Sequence, residues 1–432
     1  MRFNLILLFL IFCVRSDAFE MDRIITPGDD PKIFDSTHLL ERNLNILDAT
    51  TLRRQDLNLI PWADGSWRLR SGLIAGRYAD PVFSQITDWS ESFNYIEAHS
   101  IQNILNEADP KTRAELIDQL SPAEKYDLLV GDDEFTLTAA QWRIGKTRYQ
   151  NYTLENWMGI CEGSAAASSI YPEPKKTIEL MSSRGDLIRF HILDIKALGS
   201  LLWSAYNVTI PISGGRCLGG NPQKDYNGVI MDDDCFNSNP ATWHIALLNF
   251  VGQRKQTFFI NRSLNRREVW NAPVIGYQIN YFNIVSGTVQ QDLSSARMPM
   301  SLLPTDKYTP YRSSQTAEII GVDVTVKLAA GLTSRRDETE SAYPILLNYQ
   351  YDLELDANGK LIGGEWRHDT HPSFIWAITQ DIQPQSLGDH QLKDQAWNGG
   401  VVPENWMTAI RLSSSHNQPL ELIVKQLFDM AQ

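Results

Sequence analysis

The sequence has few cysteines and no excess of positive charge, and each shortage excludes some classes of protein or partner. There are four cysteines among 432 residues, so the partner of each one can be considered in turn. Lysine and arginine number 39 against 52 acidic residues, which gives a formal net charge of −13 and makes nucleic acid an unexpected partner. The sequence also lacks short repeats, low-complexity tracts and zinc-ligand spacings, so we expect no metal site and no cofactor.

Long hydrophobic runs are missing as well, apart from one at the N-terminus. The apolar run Phe3–Val14 is about a dozen residues long, which is short of the ~20 needed to cross a bilayer. One basic residue precedes it, and the small-x-small pattern Ser16-Asp17-Ala18 follows it. We therefore predict that residues 1–18 are a signal peptide cleaved near Ala18, that the protein is secreted or periplasmic, and that it has no stable membrane insertion.

The rest of the chain is typical of a globular protein, with 43% hydrophobic and 21% charged residues. A capping box at Ser121 and Glu124, with Pro122 at the first helical position, predicts helix within 109–132. After residue 182, β-branched and aromatic runs predict a sheet-rich half. Near the end, Asp356–Gly359 ("DANG") predicts a hairpin turn; it also resembles part of a calcium loop but has no closing glutamate. The fold class is therefore predicted to be α+β.

The three cysteines that remain after the predicted cleavage divide into a pair and a single residue. Cys13 leaves with the predicted signal peptide, while Cys217 and Cys235 bracket one loop rich in Gly, Asp and Asn and are expected to form a disulfide in an oxidising compartment. Cys161 then has no partner. An unpaired cysteine in an exported protein is either a small buried core residue or a nucleophile.

The stretch around Cys161, "NWMGICEGSAAASS", favours neither alternative by itself. Gly159 allows close approach of another backbone segment, and Gly163–Ala167 can start a helix with Cys161 at its N-terminus. There, the helix dipole and the unpaired N–H groups would favour the thiolate over the thiol. The alternative is that a cysteine beside alanines simply fills the core.

A cysteine nucleophile also needs a base and a group that orients it. His244, in "NPATWHIALLNFVG", is the best-placed histidine, and alternation predicts that it lies on a strand. Asn261 ends the next apolar run, 17 residues later, and could orient the imidazole as in a Cys-His-Asn site; Asp233 and Asp234 are the alternatives. A histidine on a strand is more often structural than catalytic. Only its combination with Cys161 therefore favours a catalytic site.

Several blocks of the sequence resemble the transglutaminase elicitor family, known from oomycete cell-wall transglutaminases and bacterial relatives. The most specific is "VWNAPVIGY", Val269–Tyr277; the others are "PWADGSWRLRSG", "LSPAEKYDLLVGDDEFTLT", "WMGICEGSAAAS", "NPATWHIALLNFVG" and "LELDANGKLIGGEW". Ala272 and Ile275 depart from the surface peptide that plants sense, which weakens any expectation of elicitor activity. The resemblance implies a papain-like cysteine acyltransferase core, in residues 106–432, with Cys161 as nucleophile and His244 as base. Residues 19–105 would be an N-terminal region or a prosegment.

The family's third catalytic position usually holds an acid, and here it matches Asn261. The implied reaction transfers the acyl group of a protein glutamine to Cys161 and then to a primary amine. Its partners are proteins with accessible glutamine and lysine residues, or small amines. Asn156 or Trp157 could supply a second oxyanion donor beside the Cys161 N–H, although Trp157 could equally line the substrate tunnel.

Two other function classes remain open, and a calcium requirement is not decided by the sequence. A cysteine protease or glutamine deamidase would use the same thiol chemistry, because the acceptor is not fixed by the fold. A non-catalytic exported binding protein could use the 12 tryptophans to line a carbohydrate groove, although that number also suits a large core.

Overall fold

The protein is described from a computed structural model. The described residues are 25, 28–34, 40–58, 60–151, 154–204, 208, 210–215, 223–228, 230–232, 235–263, 268–332, 336–337, 343–368, 370–379, 382–384 and 386–432. The predicted signal peptide, Cys13, Cys217, Asp233 and Asp234 lie outside them. Signal-peptide cleavage and the Cys217–Cys235 disulfide therefore stay predictions.

The structure mixes helices with one large antiparallel sheet, which confirms the mixed class but not a papain-like core. The α-helices of the described residues are α1 (Leu44–Thr50), α2 (Trp89–Ala98), α3 (Ile101–Leu105), α4 (Pro110–Asp118), α5 (Pro122–Val130), α6 (Thr136–Asn151), α7 (Cys161–Ile170), α8 (Ile192–Leu202), α9 (Pro240–Ala246), α10 (Leu293–Ala296), α11 (Met407–Ser415) and α12 (Glu421–Met430). A π-helix, Leu247–Arg254, continues α9. None of the described helices combines the length and apolarity needed to span a membrane.

The strands are mostly in the second half of the chain, as predicted. They are β1 (Arg54–Asp56), β2 (Ile178–Met181), β3 (Leu187–Phe190), β4 (Ile212–Gly214), β5 (Phe259–Asn261), β6 (Asn271–Phe282), β7 (Val289–Gln290), β8 (Met298–Pro299), β9 (Glu318–Ala330), β10 (Tyr343–Leu355), β11 (Leu361–Trp366) and β12 (Phe374–Trp376). The main sheet has the order β11-β10-β9-β6-β5-β12-β4, while β2 and β3 form a separate hairpin.

Local sequence signals explain where these elements start and turn. The Ser121 hydroxyl accepts from the Glu124 N–H while the Glu124 carboxylate accepts from the Ser121 N–H, which confirms the predicted capping box of α5. β10 and β11 are joined by the predicted turn, in which Gly359 has a φ of +79° that favours glycine. On β9, Val322, Val324 and Val326 are fully buried at alternating positions, so one face of the sheet packs inward.

Two apolar cores hold the molecule together. The first lies among the helices and includes α5, α7, α8 and α12, together with Trp62 and Trp67 from the segment before α2. The second lies between the sheet and α9 with its π-helix. Residues before position 105 thus share the first core, and β1 pairs with β6, with Arg54 opposite Gln278. The predicted boundary near residue 105 does not coincide with a gap in packing, and removal of a prosegment stays a prediction.

Candidate functional site

Cys161 is the first residue of α7, as the sequence predicted. The preceding residue, Ile160, provides no side-chain cap, so backbone N–H groups of the first turn remain available. Two glycines make this position possible. A Cβ on Gly163 would lie 2.0 Å from the Ser200 carbonyl oxygen of α8, and a Cβ on Gly159 would lie 2.5 Å from the Trp67 carbonyl oxygen. The helix can therefore pack closely against α8 while the segment before it runs against residues 67–68.

The sulfur of Cys161 contacts the start of β6. Asn271 Nδ2 lies 3.6 Å from Cys161 Sγ, and the Val269 carbonyl oxygen lies 3.7 Å from it. Trp376 Nε1 donates to Asn271 Oδ1 at 2.8 Å, which fixes which way the amide points. The thiol thus faces an amide donor that a buried indole holds in place.

Cys161 is partly exposed and is the free cysteine of the described residues. The pKa of its thiol is raised to about 11, chiefly by burial and also by the neighbouring Glu162 carboxylate, while hydrogen bonding from Asn271 opposes the rise. The helix N-terminus favours the thiolate, as one of the two sequence-based alternatives expected, but burial favours the thiol. Desolvation outweighs the dipole, so the resting group is a thiol.

The thiol opens into a cavity of about 260 Å³ between the segment 61–68, the start of α7 and the ends of β6 and β9. Asp64, which is 4% exposed, is the one carboxylate among the described residues that line it. Asp64 Oδ2 accepts from Ser164 Oγ at 2.7 Å, from Ser200 Oγ at 2.5 Å and from Trp67 Nε1 at 2.9 Å. Burial raises the pKa of Asp64, partly offset by these hydroxyl donors. This carboxylate therefore ties the cavity wall to α7 and α8.

Asn156 and Trp157 line the same cavity. Asn156 Oδ1 accepts from Arg70 Nη1 at 2.5 Å, and Trp157 Nε1 donates to Glu155 Oε2 at 2.9 Å. The side-chain donor beside the sulfur belongs to Asn271.

Asn261 lies next to the site but does not contact an imidazole. It is the strand partner of Asn271 across β5 and β6. Its Oδ1 accepts from the Trp270 N–H at 2.8 Å, and its Nδ2 donates to Ser373 Oγ at 3.0 Å. Asn261 therefore supports the backbone that presents Asn271, instead of orienting His244 as predicted.

His244 lies in the second core and not beside Cys161. It is fully buried on α9, a helix that Asn239 caps and Pro240 starts, so the predicted strand is wrong. Its Nδ1 is 2.8 Å from the Tyr351 hydroxyl and its Nε2 is 3.1 Å from the Tyr281 hydroxyl. Tyr281 is ten residues from Asn271 on β6, about 30 Å along the strand. The structure therefore does not bring the predicted base to the predicted nucleophile.

Burial lowers the pKa of His244 to about 3, so the ring is neutral at physiological pH. A neutral imidazole donates from one nitrogen and accepts at the other, and the two tyrosine hydroxyls satisfy both. This arrangement is typical of a core histidine.

Sequence reasoning missed Asp64 and Asn271, although each stands in a block that it singled out. Asp64 is the aspartate of "PWADGSW", and Asn271 is the asparagine of "VWNAPVIGY". The available signal was that each residue stands inside a block that resembles the family.

Known proteins resemble this chain over most of its length, including the region around Cys161. The sequence model of the transglutaminase elicitor family matches residues 34–390, which include α7 and the whole cavity wall. A search of curated proteins finds no match.

One solved structure is similar over most of both chains. The crystal structure of the GP42 transglutaminase from Phytophthora sojae has a TM-score of 0.52 to this chain and 19% sequence identity. The alignment covers 87% of this chain and 94% of that one. At this identity, the likeness shows a shared fold.

Proposed function

We propose that this chain, which belongs to the transglutaminase elicitor family, is an exported protein-glutamine γ-glutamyltransferase whose nucleophile is Cys161. The observation that carries the proposal is the position of Cys161, at the uncapped start of α7, facing a cavity and the Asn271 amide. Catalytic nucleophiles of this type sit at helix N-termini with donors aimed at the reacting centre.

In the first half-reaction, Cys161 Sγ attacks the side-chain carbonyl carbon of a bound glutamine. A sulfur–carbon bond forms, and the carbonyl oxygen takes the negative charge. The Cys161 N–H and Asn271 Nδ2 are the donors we assign to that oxygen, because both lie around the sulfur. The carbon–nitrogen bond then breaks, ammonia leaves, and a thioester remains on Cys161.

The thiol proton must move, because Cys161 is a thiol at rest. His244 is out of reach, and Asp64 is the carboxylate in the described cavity wall. We assign to Asp64 the acceptance of the thiol proton and its return to the departing amide nitrogen, relayed through a water molecule in the cavity. Its raised pKa suits a group that must both accept and release a proton.

In the second half-reaction, the thioester is attacked by an acceptor. A lysine amine gives an isopeptide cross-link, a small amine gives a substituted glutamine, and water gives glutamate. The family match favours amine transfer over the protease and deamidase alternatives.

The discriminating experiment measures ammonia release from a glutamine peptide with and without a primary amine, together with amine incorporation by mass spectrometry. We expect ammonia release coupled to amine incorporation, and loss of both in Cys161→Ala. Ammonia release that yields only glutamate even at saturating amine would identify a deamidase. Cleavage of the peptide backbone would identify a protease.

A further inference from the structure

Two neighbouring arginines beside the cysteine cavity have no carboxylate partner among the described residues. Arg68 Nε donates to Ser66 Oγ at 2.8 Å, and Arg70 Nη1 donates to Asn156 Oδ1, so each guanidinium keeps further N–H groups that pair with no carboxylate of the described residues. Both side chains are partly buried. Desolvation lowers the pKa of Arg70, and the neighbouring positive charge of Arg68 contributes to the shift.

Other partly buried arginines of the described chain are neutralised by carboxylates. Arg53 pairs with Asp48 at 2.9 Å, and Arg411 pairs with Asp132 at 2.8 Å. In a chain with a net charge of −13, leaving adjacent guanidinium groups unpaired creates a local positive potential that an anionic group would fill.

These arginines line a groove that continues from the cysteine cavity. A second depression of about 480 Å³ shares the residues 65–68 with the cysteine cavity, and Arg68 lines both. A third depression, of about 510 Å³, shares Arg70 and Thr87 with the second. Three depressions in a row offer the length that an extended polypeptide needs.

The groove has a fixed register relative to the nucleophile. Arg68 forms an antiparallel bridge with Gly159, and the Leu69 N–H donates to the Met158 carbonyl oxygen at 2.8 Å. Gly159 is two residues before Cys161, and paired strands lie about 5 Å apart, so Arg68 is on the order of 10 Å from the nucleophile. An extended peptide covers that distance in about three residues.

We infer that this groove binds the acyl-donor polypeptide, and that Arg68 and Arg70 recognise an aspartate or glutamate within about three residues of the reactive glutamine. The inference rests on the proposed function and names its donor class. A lysine acceptor would be repelled by the same two charges, so the amine enters from another side of the cysteine cavity.

The test compares short glutamine peptides that differ only in flanking charge. One series carries glutamate up to three residues before or after the glutamine, a second carries serine there, and a third carries lysine. We expect kcat/KM for amine incorporation to be about tenfold higher for the best glutamate peptide than for the serine peptide at low salt, and lowest for the lysine peptide. The preference should shrink as salt is raised.

The variant Arg68→Gln/Arg70→Gln should remove the preference, so that its kcat/KM for the glutamate peptide is no higher than its kcat/KM for the serine peptide. Arg54→Gln removes an exposed charge on β1, away from the groove, and should leave the preference intact. Melting temperatures of all variants show whether each one is folded. Equal kcat/KM for the glutamate and serine peptides, or a preference that survives the double variant, overturns the inference.

A binding measurement separates this inference from the proposed function. Fluorescence anisotropy of a labelled glutamate-rich peptide without glutamine reports the subsite even if no peptide is turned over. Binding that is weakened by Arg68→Gln/Arg70→Gln supports the subsite, whereas turnover of the serine peptide supports the transferase. Salt-independent binding, or binding unchanged in the double variant, contradicts the subsite while leaving the transferase intact.

Discussion

Asn271 Nδ2 lies 3.6 Å from Cys161 Sγ, and Trp376 Nε1 holds the other end of that amide at 2.8 Å. The indole donor makes Asn271 Oδ1 the acceptor, so the amide N–H groups face the sulfur. Because burial disfavours the charged form of the sulfur, the Asn271 amide is the described side chain that stabilises the thiolate.

Replacing Asn271 should therefore reduce catalysis without unfolding the protein. Asn271→Ala removes a donor for both the thiolate and the oxyanion, and we expect kcat to fall by about 100-fold. Asn271→Asp places a negative charge beside the sulfur and should be worse. Trp376→Phe leaves the amide in place but frees its orientation, so it should cost less. A kcat for Asn271→Ala equal to that of the unaltered protein would remove Asn271 from the mechanism.

The reactivity of Cys161 should increase strongly with pH. With a pKa of about 11, the thiolate fraction rises about tenfold per pH unit between pH 7 and 10, and only the thiolate reacts with iodoacetamide. The second-order alkylation rate of the free protein should follow that slope, and Asn271→Ala should shift the curve to higher pH. A rate that is already constant above pH 7 would show a thiolate at rest.

His244 should affect stability and not the chemical step. His244→Ala removes a hydrogen-bond partner from two buried tyrosine hydroxyls and creates a cavity, so we expect the free energy of unfolding to fall by about 3 kcal/mol. Tyr281→Phe removes one of the two hydrogen bonds and should cost about 1 kcal/mol. Denaturant unfolding measures both, and kcat per folded molecule should stay unchanged. A folded His244→Ala protein without activity would restore the imidazole as a catalytic group.

The same histidine predicts a direction for acid unfolding. The folded pKa of about 3 lies below the ordinary value of 6.5, so the unfolded chain binds a proton that the folded chain excludes. Its contribution to stability is complete above pH 6.5 and is lost progressively as the pH falls toward 3. His244→Gln should flatten the decline in melting temperature between pH 6.5 and 4. An unchanged slope would show that the ring is not neutral in the folded state.

Asp64 should matter for the rate through proton transfer. Asp64→Asn keeps an oxygen acceptor for the hydroxyls but cannot carry the proton, so we expect kcat to fall by about 100-fold or more, with loss of one limb of the pH–rate profile. Ser200→Ala is the matched control, because it removes one hydrogen bond to Asp64 without removing the proton carrier. If both variants lose the same small fraction of activity and keep the same pH profile, Asp64 only supports the cavity wall.

The sequence predicted those parts of the site that depend on local signals. The start of α7 at Cys161 follows from the small residues after it, and the glycines around it allow the close backbone contacts that the structure contains. The capping box of α5 and the turn at Gly359 are equally local, and both are confirmed.

The parts that depend on long-range packing could not be predicted in the same way. The apolar residues around His244 fit a buried helix as well as a strand. Asn239 caps the helix and Pro240 starts it, and this local signal favours the helix. Asp64 and Cys161 are 97 residues apart in sequence, and their juxtaposition arises from the packing of the segment 61–68 against α7 and α8. Cys161 and His244 lie beside different apolar cores, and a local motif does not contain that information.

Mass spectrometry of the trapped intermediate shows whether Cys161 forms the acyl-enzyme. The protein is mixed with a glutamine peptide in the absence of amine, quenched in acid during the first turnovers, digested and mapped. We expect an adduct on the peptide that contains Cys161, with the mass of the substrate less one ammonia, which hydroxylamine removes and which Cys161→Ala does not form. Turnover of glutamine without an adduct on Cys161, or with an adduct on another residue, would contradict it.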